Sequence, residues 1–291
     1  SVIKDENIQV QTKAVVKEVN GKFKGFNVKI ESTGSSKKPV EIDLKASAII
    51  VATGYHLFDA EKMPQFYYGK HGNVLTGLDF EEMFKDNILN QKPLFRPSDK
   101  GKLTSVVFIL CVGSRDEKYQ VNCCRVGCLN ALKQAYELKQ LHGEEIDVYI
   151  CYNDIRAAGK EEEELYRRTR EAGVLFIKGL PSEIKPLSEN QLNIEVFDLS
   201  TYKLLSITAD LLVLETALSP NTDLKDKLNL PLGEDGFYRE VDIKFNTIET
   251  PIKGVFLAGT SQGPKTISET IEHASFAALE AATLISRKTN R

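Results

Sequence analysis

From Leu103 onward the sequence alternates between short apolar runs and longer amphipathic ones, and that rhythm restricts the fold more than any other feature. Val106 to Cys111, Ile146 to Cys151 and Val174 to Ile177 have the length and apolar character of strands. Between them, helical spacing runs over roughly 121–141 and 160–172. Strand, helix, strand, helix, strand calls for a parallel sheet built from βαβ units. Leu192 to Phe197 and Leu204 to Ile207 read as a hairpin, and Ala209 to Leu214 as another buried strand.

The flanks follow a different pattern. Residues 7–51 read as all-β, with a turn at Asn20-Gly21, a polar hairpin-like stretch from Ser32 to Pro39, and a strand around Ile42 to Leu44. Ala48 to Tyr55 is an apolar run of the fully buried type, ending in Thr53-Gly54. Residues 56–100 form an excursion with a short helix at Asp79 to Phe84, and Pro93 and Pro97 mark its exit. Val255 to Thr260 repeats the earlier logic as a buried strand closing on Gly259-Thr260. Thr266 and Glu269 then have the spacing of a capping box on a helix to about Ser286. The simplest organisation is one α/β domain, residues 1–98 and 216–291, interrupted by a second α/β unit at 99–215.

Bulk properties exclude several classes. A net charge of -3 over 291 residues leaves no electrostatic footprint for nucleic acid. No apolar run reaches the 18 residues of a membrane span. The opening Ser-Val-Ile-Lys-Asp-Glu-Asn lacks the apolar core of a secretory signal. Five cysteines are too few for a disulfide scaffold, so a reducing, cytoplasmic setting is expected.

Four of those five cysteines, Cys111, Cys123, Cys124 and Cys128, fall within 18 residues. They lie at the carboxyl end of a predicted strand and in the first turns of the next helix, where open α/β sheets bind ligands and helix N-termini stabilise thiolates. A metal or redox centre follows from that clustering. Two other readings stay open: small buried hydrophobes, and a dithiol–disulfide site pairing Cys123 or Cys124 with Cys128 or Cys111. If the helix began near 121, Cys123 would point about 100° away from the face shared by Cys124 and Cys128, so convergence would need a distorted first turn. Cys151 reads as core. The strand-to-helix turn holds only Gly113, with Arg115 and Asp116 crowding it, which argues against a nicotinamide site.

Longer strings carry a family resemblance. Phe108 to Asp116, Cys123 to Cys128, Ala131 to Ala135, Asp154 to Ala157, Tyr68 to Phe80 and Gly254 to Lys265 together resemble the A-subunit of heterodisulfide reductase, in one order along nearly the whole chain. The resemblance implies a two-dinucleotide-binding-domain flavoprotein of the disulfide reductase type, an α/β fold that is amino-terminally incomplete because no Gly-x-Gly-x-x-Gly spacing occurs. It implies FAD facing Thr53, Gly54, Gly259, Thr260, Gln262, Gly263, Lys265 and Thr266, with Lys265 tuning the flavin in the catalytic role. It also implies a [4Fe–4S] cluster on Cys111, Cys123, Cys124 and Cys128.

Two departures qualify this. The flavoprotein disulfide reductases usually have Asp where Thr260 stands, so a hydroxyl would meet the ribityl chain. The cysteine pattern of the heterodisulfide reductase A-subunits ends in a pair where this chain has Gly127-Cys128, so Cys124 would have to replace the missing thiol. The short 32–41 stretch and the absence of ferredoxin modules resemble the shorter, sulfur-oxidation type found in heterodisulfide-reductase-like complexes. The resemblance therefore implies electron transfer between FAD and the cluster, with other heterodisulfide reductase-like subunits as partners and a homodimer by analogy. A thiol–disulfide or NAD(P)H-dependent flavin reductase and a cofactor-free scaffold are the rival readings.

Overall fold

The computed structural model describes residues 4–33, 39–89 and 94–287, with the side chains of 86–89 left out of account. The chain divides into two units, residues 1–56 with 220–291, and residues 57–219.

In the first unit, β1 (Ala14–Asn20), β2 (Phe26–Ser32) and β3 (Val40–Ala46) form an antiparallel meander. Gly21 sits in the β1–β2 turn with φ +92°, where a Cβ would lie 2.2 Å from the Gly25 carbonyl oxygen. The centre of the predicted Ser32–Pro39 hairpin lies outside the described residues. β4 (Ile49–Val51) follows, and β5 (Tyr55–Leu57) closes this portion of the chain.

The second unit opens with β6 (Val74–Thr76), α1 (Gly77–Leu89), β7 (Ser105–Val112), α2 (Gly127–His142), β8 (Asp147–Tyr152), α3 (Lys160–Glu171) and β9 (Leu175–Lys178). The antiparallel strands β10 (Pro181–Pro186), β11 (Leu192–Asp198) and β12 (Lys203–Ala209) come next, then β13 (Leu211–Thr216) and β14 (Leu218–Pro220). The central sheet has the order β6-β13-β7-β8-β9, and every pairing in it is parallel. Successive β7 side chains serve opposite faces. Val106, Phe108 and Leu110 pack with Phe80, Phe84, Leu132 and Leu138 of the helices. Val107 and Ile109 pack with Ile184, Ile194, Val196 and Ile207 of the antiparallel sheet. Burial on both faces accounts for this apolar run, and each such side chain contributes about 1.5–3 kcal/mol.

The chain then returns to the first unit through α4 (Lys225–Leu228), β15 (Val255–Leu257) and α5 (Ile267–Ser286). β15 pairs in parallel with β4. Phe256 and Ala258 pack against Ala277 and Ala281 of α5, while Val51, Val255 and Leu257 pack on Phe26, Leu228, Leu230 and Tyr238.

Five expectations change. The unit boundary falls at 56/57 rather than 98, because β6 joins the central sheet and Phe80 of α1 lies edge-on to Phe108 at 5.7 Å. α1 is longer than Asp79–Phe84, and β10 adds a third strand to the predicted hairpin. The Ala48–Tyr55 run is not a fully buried strand. The run is split between β4 and the first residue of β5, and Ile50 is 42% exposed because β4 has β15 as its sole strand partner among the described residues. Finally, α2 begins at Gly127 rather than near 121, which changes how the cysteines are presented.

Candidate cysteine centre and dinucleotide cradle

The central sheet reverses its winding between β7 and β13, and the crevice outside the carboxyl ends of such neighbours is the usual ligand position. The cysteines gather at that point. Pairing of β7 with β13 skips from Ile109↔Leu214 to Val112↔Thr216, so β7 carries one extra residue there. Cys111 occupies this irregularity with φ +62°. Such bulges re-aim a side chain at the cost of local strain. Gly113 follows with φ +72°, and a Cβ on it would lie 2.5 Å from the Phe58 ring.

The connection from 113 to 126 is non-helical, which resolves the convergence problem. It folds back on itself through Gln120 N–H to the Gly113 carbonyl (3.1 Å) and Arg115 N–H to the Asn122 carbonyl (3.1 Å). Buried Ser114 donates its hydroxyl to the Asn122 carbonyl (2.7 Å) and accepts from the Cys124 N–H (3.1 Å). Cys123 and Cys124 therefore approach from this loop, while Cys128 projects from the first turn of α2. Their sulfurs are linked through Cys123. Cys123 is hydrogen-bonded to the Cys124 side chain, and Cys111, Cys123 and Cys128 lie within mutual electrostatic range. Backbone groups join in: Arg125 N–H donates to Cys123 Sγ at 3.3 Å, and Gly127 N–H to Cys124 Sγ at 3.4 Å. Cys128 Sγ lies 3.9 Å from the Asp154 carbonyl.

The four thiols are electrostatically unequal. The Cys124 hydrogen bond, then the Arg125 N–H and the guanidiniums of Arg156 and Arg115, bring Cys123 down to about 5 against the opposing effect of burial. Cys124 moves up, through its bond to Cys123 and through burial. Burial raises Cys111 and pushes Cys128 to about 11. Cys151 sits in the core on the antiparallel-sheet side, pushed to about 12 by burial alone.

Among the described residues, no three His, Cys, Asp or Glu side chains meet closely enough for a single metal ion. A four-iron cluster makes a different demand, because each iron takes its own thiolate and the donors surround a volume rather than a point. On donor chemistry, four cysteines in one set fit it.

Sequence reasoning missed one neighbour of this centre. Glu215, at the carboxyl end of β13, is fully buried, and its Oε1 has no hydrogen-bond partner. Two helix-starting glycines make room for it. A Cβ on Gly77 would lie 2.7 Å from Oε1, and one on Gly127 would lie 3.2 Å from the Glu215 Cβ and 3.1 Å from Cys124 Sγ. Burial, with a smaller push from Glu81, raises its carboxyl to about 8. A glutamate in an apolar run carries no sequence signal of this kind.

In the first unit the predicted cofactor residues form a second turn. Gly54 (φ +69°) and Gly259 (φ +63°) follow β4 and β15, and a Cβ on Gly54 would lie 3.8 Å from Thr260 Oγ1. The Thr53 carbonyl accepts from Asn221 (3.3 Å), but the buried Thr53 Oγ1 has no partner. An orphaned buried hydroxyl between two glycine turns is a fit for a bound polar cofactor. Gly259 N–H is taken by His273 Nδ1 at 3.0 Å, whose Nε2 meets the Thr247 carbonyl at 3.0 Å. His273 thus fixes the turn as a neutral imidazole, a role its position seven residues into α5 did not announce. Lys265 bonds Gln262. Thr266 and Glu269 complete the expected capping box, so the Thr266 hydroxyl serves the helix. Gly263 has open space where a Cβ would lie.

No protein-family model matches the chain. The solved structures it resembles include thioredoxin reductase from T. acidophilum (18% identity, 94% of this chain, 74% of that one, TM-score 0.58). The NAD-dependent persulfide reductase from A. fulgidus is another (19% identity, 98% and 46% covered, TM-score 0.55). At such identities the likeness defines the fold, that of the two-dinucleotide-binding-domain flavoprotein disulfide reductases. Sequence relatives are more specific. The first iron-sulfur A-subunit of CoB–CoM heterodisulfide reductase from Methanopyrus kandleri is 42% identical over 257 residues, covering 84% of this chain and 38% of the relative. Its counterpart in Methanocaldococcus jannaschii is 43% identical over 248 residues, with 83% and 38% covered. A protein of Archaeoglobus profundus described as like the heterodisulfide reductase A-subunit is 34% identical over 267 residues. The chain belongs to the heterodisulfide reductase A-subunit family, and spans 38% of the length of these relatives.

Proposed function

We propose that this protein is an oxidoreductase of the electron-transfer type, a flavoprotein subunit of a heterodisulfide reductase-like complex. In this reading Cys111, Cys123, Cys124 and Cys128 hold a [4Fe–4S] cluster. Thr53, Gly54, Gly259, Thr260, Gln262, Gly263, Lys265 and Thr266 face FAD. Bound there, FAD would supply two-electron exchange and the cluster single-electron exchange. The chain's own contribution is placement. The bulge in β7 turns Cys111, the Ser114 hydroxyl holds the Cys123–Cys124 loop, and the start of α2 presents Cys128. In the other unit, the unpartnered Thr53 Oγ1 would meet the cofactor, and the Lys265 ammonium near the start of α5 would stabilise added negative charge. Disulfide chemistry would reside in partner subunits of the same complex, in the cytoplasm, with a homodimer as the simplest assembly. Among the described residues, no helix is long and apolar enough to cross a membrane.

The observation that carries the proposal is the union of four thiols at the β7–β13 switch point. A second reading has its own observation: Cys123, held low by a hydrogen bond from Cys124, is the geometry of a reactive dithiol. Visible absorption together with iron and acid-labile sulfide analysis of anaerobically purified protein separates the two. Flavin bands with a broad brown shoulder and bound iron agree with the electron carrier. Flavin without iron favours the dithiol reductase, and a colourless protein sinks both in favour of a scaffold.

A further inference from the structure

The string Asp154 to Ala157 contributes neither a thiol nor a flavin contact, yet it lies against the cysteine set. Ile155 packs into the helix-side core and anchors the β8–α3 connection, leaving Asp154 and Arg156 on either side of it. One Asp154 oxygen, Oδ1, receives two guanidiniums, that of Arg115 from the β7–α2 loop and that of Arg156 at 3.7 Å. The Asp154 carbonyl faces Cys128 Sγ at 3.9 Å, and the Arg156 backbone faces the same sulfur. The Arg115 guanidinium faces the Cys111 sulfur, and both arginines lie within electrostatic range of Cys123. The connection and its two arginines therefore touch or face three of the four thiols. Arg115 is held there at φ +59°, and with Cys111 and Arg125 it makes three of the nine left-handed non-glycine residues among the described ones. Such strain persists where surrounding structure over-determines it.

The geometry points to Arg115 and Arg156, yoked through Asp154, as the positioning residues that supply counter-charge to the sulfur centre and set its reduction potential. This inference rests on the cysteine reading above and goes beyond it. Four thiolates in one place repel each other, and adding an electron adds to that charge. A guanidinium stays cationic at any working pH, so it favours the more negative state of whatever the sulfurs hold. Arg115, 29% exposed and facing Cys111, should act strongly and with little salt dependence. Arg156, 50% exposed, should act more weakly and be screened by salt.

The test is redox titration of the anaerobically purified protein, followed by electron paramagnetic resonance, for Arg115→Gln, Arg115→Lys and Arg156→Gln. Iron content is measured first. Arg115→Gln is expected to move the midpoint to a more negative potential, Arg115→Lys to recover part of the shift, and Arg156→Gln to give a smaller shift that shrinks at high salt. Parental midpoints in both glutamine variants at parental iron content overturn the inference. If the protein carries no iron, the cluster reading fails separately, and the arginines are tested on the thiols alone. The thiol–disulfide midpoint of these cysteines, read by mass spectrometry after equilibration in glutathione redox buffers, should then move to a more negative potential in both glutamine variants. Parental thiol–disulfide midpoints in both overturn the inference.

Discussion

The β7–α2 connection and the β15–α5 connection are the same device with different chemistry. Each takes a strand out through a left-handed turn into a helix N-terminus. At β15–α5 the turn is carried by Gly259, the helix start is completed by a Thr266–Glu269 capping box, and the hydroxyl of Thr53 is left without a partner. At β7–α2 the turn forces Cys111 and Arg115 into left-handed backbone, the helix has no side-chain cap, and the groups presented are thiols and guanidiniums. The first arrangement offers hydroxyl and backbone groups, suited to a neutral ribityl chain or a pyrophosphate. The second offers soft, ionisable sulfur, suited to iron. The two turns share a backbone device and differ in the groups they present.

The sharpest way to break this contrast is to remove the sulfur that links the set. Cys123 interacts with the other three thiols, so Cys123→Ser should reduce bound iron and sulfide to background while flavin content stays at the parental level. Cys128→Ser should likewise lose iron, and a variant that kept it would remove Cys128 from the ligand set. Cys151→Ala should keep all of its iron and cost about 1 kcal/mol of stability from lost packing. Loss of flavin in parallel with iron would show that the two turns are not independent.

Next in size is the acid that only the thiol end possesses. The Glu215 carboxyl is raised by burial from its ordinary 4.5 to about 8. Between those values the folded protein holds a proton that the unfolded chain has released, so stability falls as pH rises through this window. The full loss by pH 9 is on the order of 4 kcal/mol. Denaturation at pH 5, 7 and 9 should show the decline, and Glu215→Gln should flatten it. An identical pH profile in the variant would mean that Glu215 is ionised, or hydrated, in the folded state.

Much of this was legible from sequence because the signals were periodic or local. Burial of β7, β8 and β13 on both faces makes them apolar runs, and the Thr266-x-x-Glu269 pattern fixes α5 to within a residue. The cysteine spacing marked the stretch between the end of β7 and the first turn of α2 where four of the thiols lie. What was hidden depends on long-range packing. Helical spacing from 121 misplaced the α2 start, because the Ser114 hydroxyl and the Arg115 N–H bind the 122–124 backbone and outcompete helix formation. The 56/57 boundary depends on Phe80 finding Phe108, and Ile50 is exposed because β4 has one strand partner among the described residues. Arg115, Asp154 and Arg156 come from two connections, and only the parallel pairing of β7 with β8 brings them together.

The smallest effects compare the two turns through their glycines. Gly113→Ala meets a left-handed backbone and a Phe58 ring 2.5 Å from the new methyl. Phe58 is itself buried and edge-on to Tyr119 at 5.1 Å, so it cannot move freely. The expected cost is about 3 kcal/mol, with displacement of Cys111 and partial loss of iron. Gly54→Ala meets a similar φ, but its nearest neighbour is Thr260 Oγ1 at an ordinary 3.8 Å. Only backbone strain remains, about 1 kcal/mol. Its new methyl would nevertheless point toward Thr260, where the cofactor is proposed to lie. Gly54→Ala should therefore weaken flavin retention more than its small effect on melting would imply. Flavin content and thermal unfolding measured on the same preparations decide it, since a loss of flavin no greater than that in Gly113→Ala would leave the cradle as a plain turn.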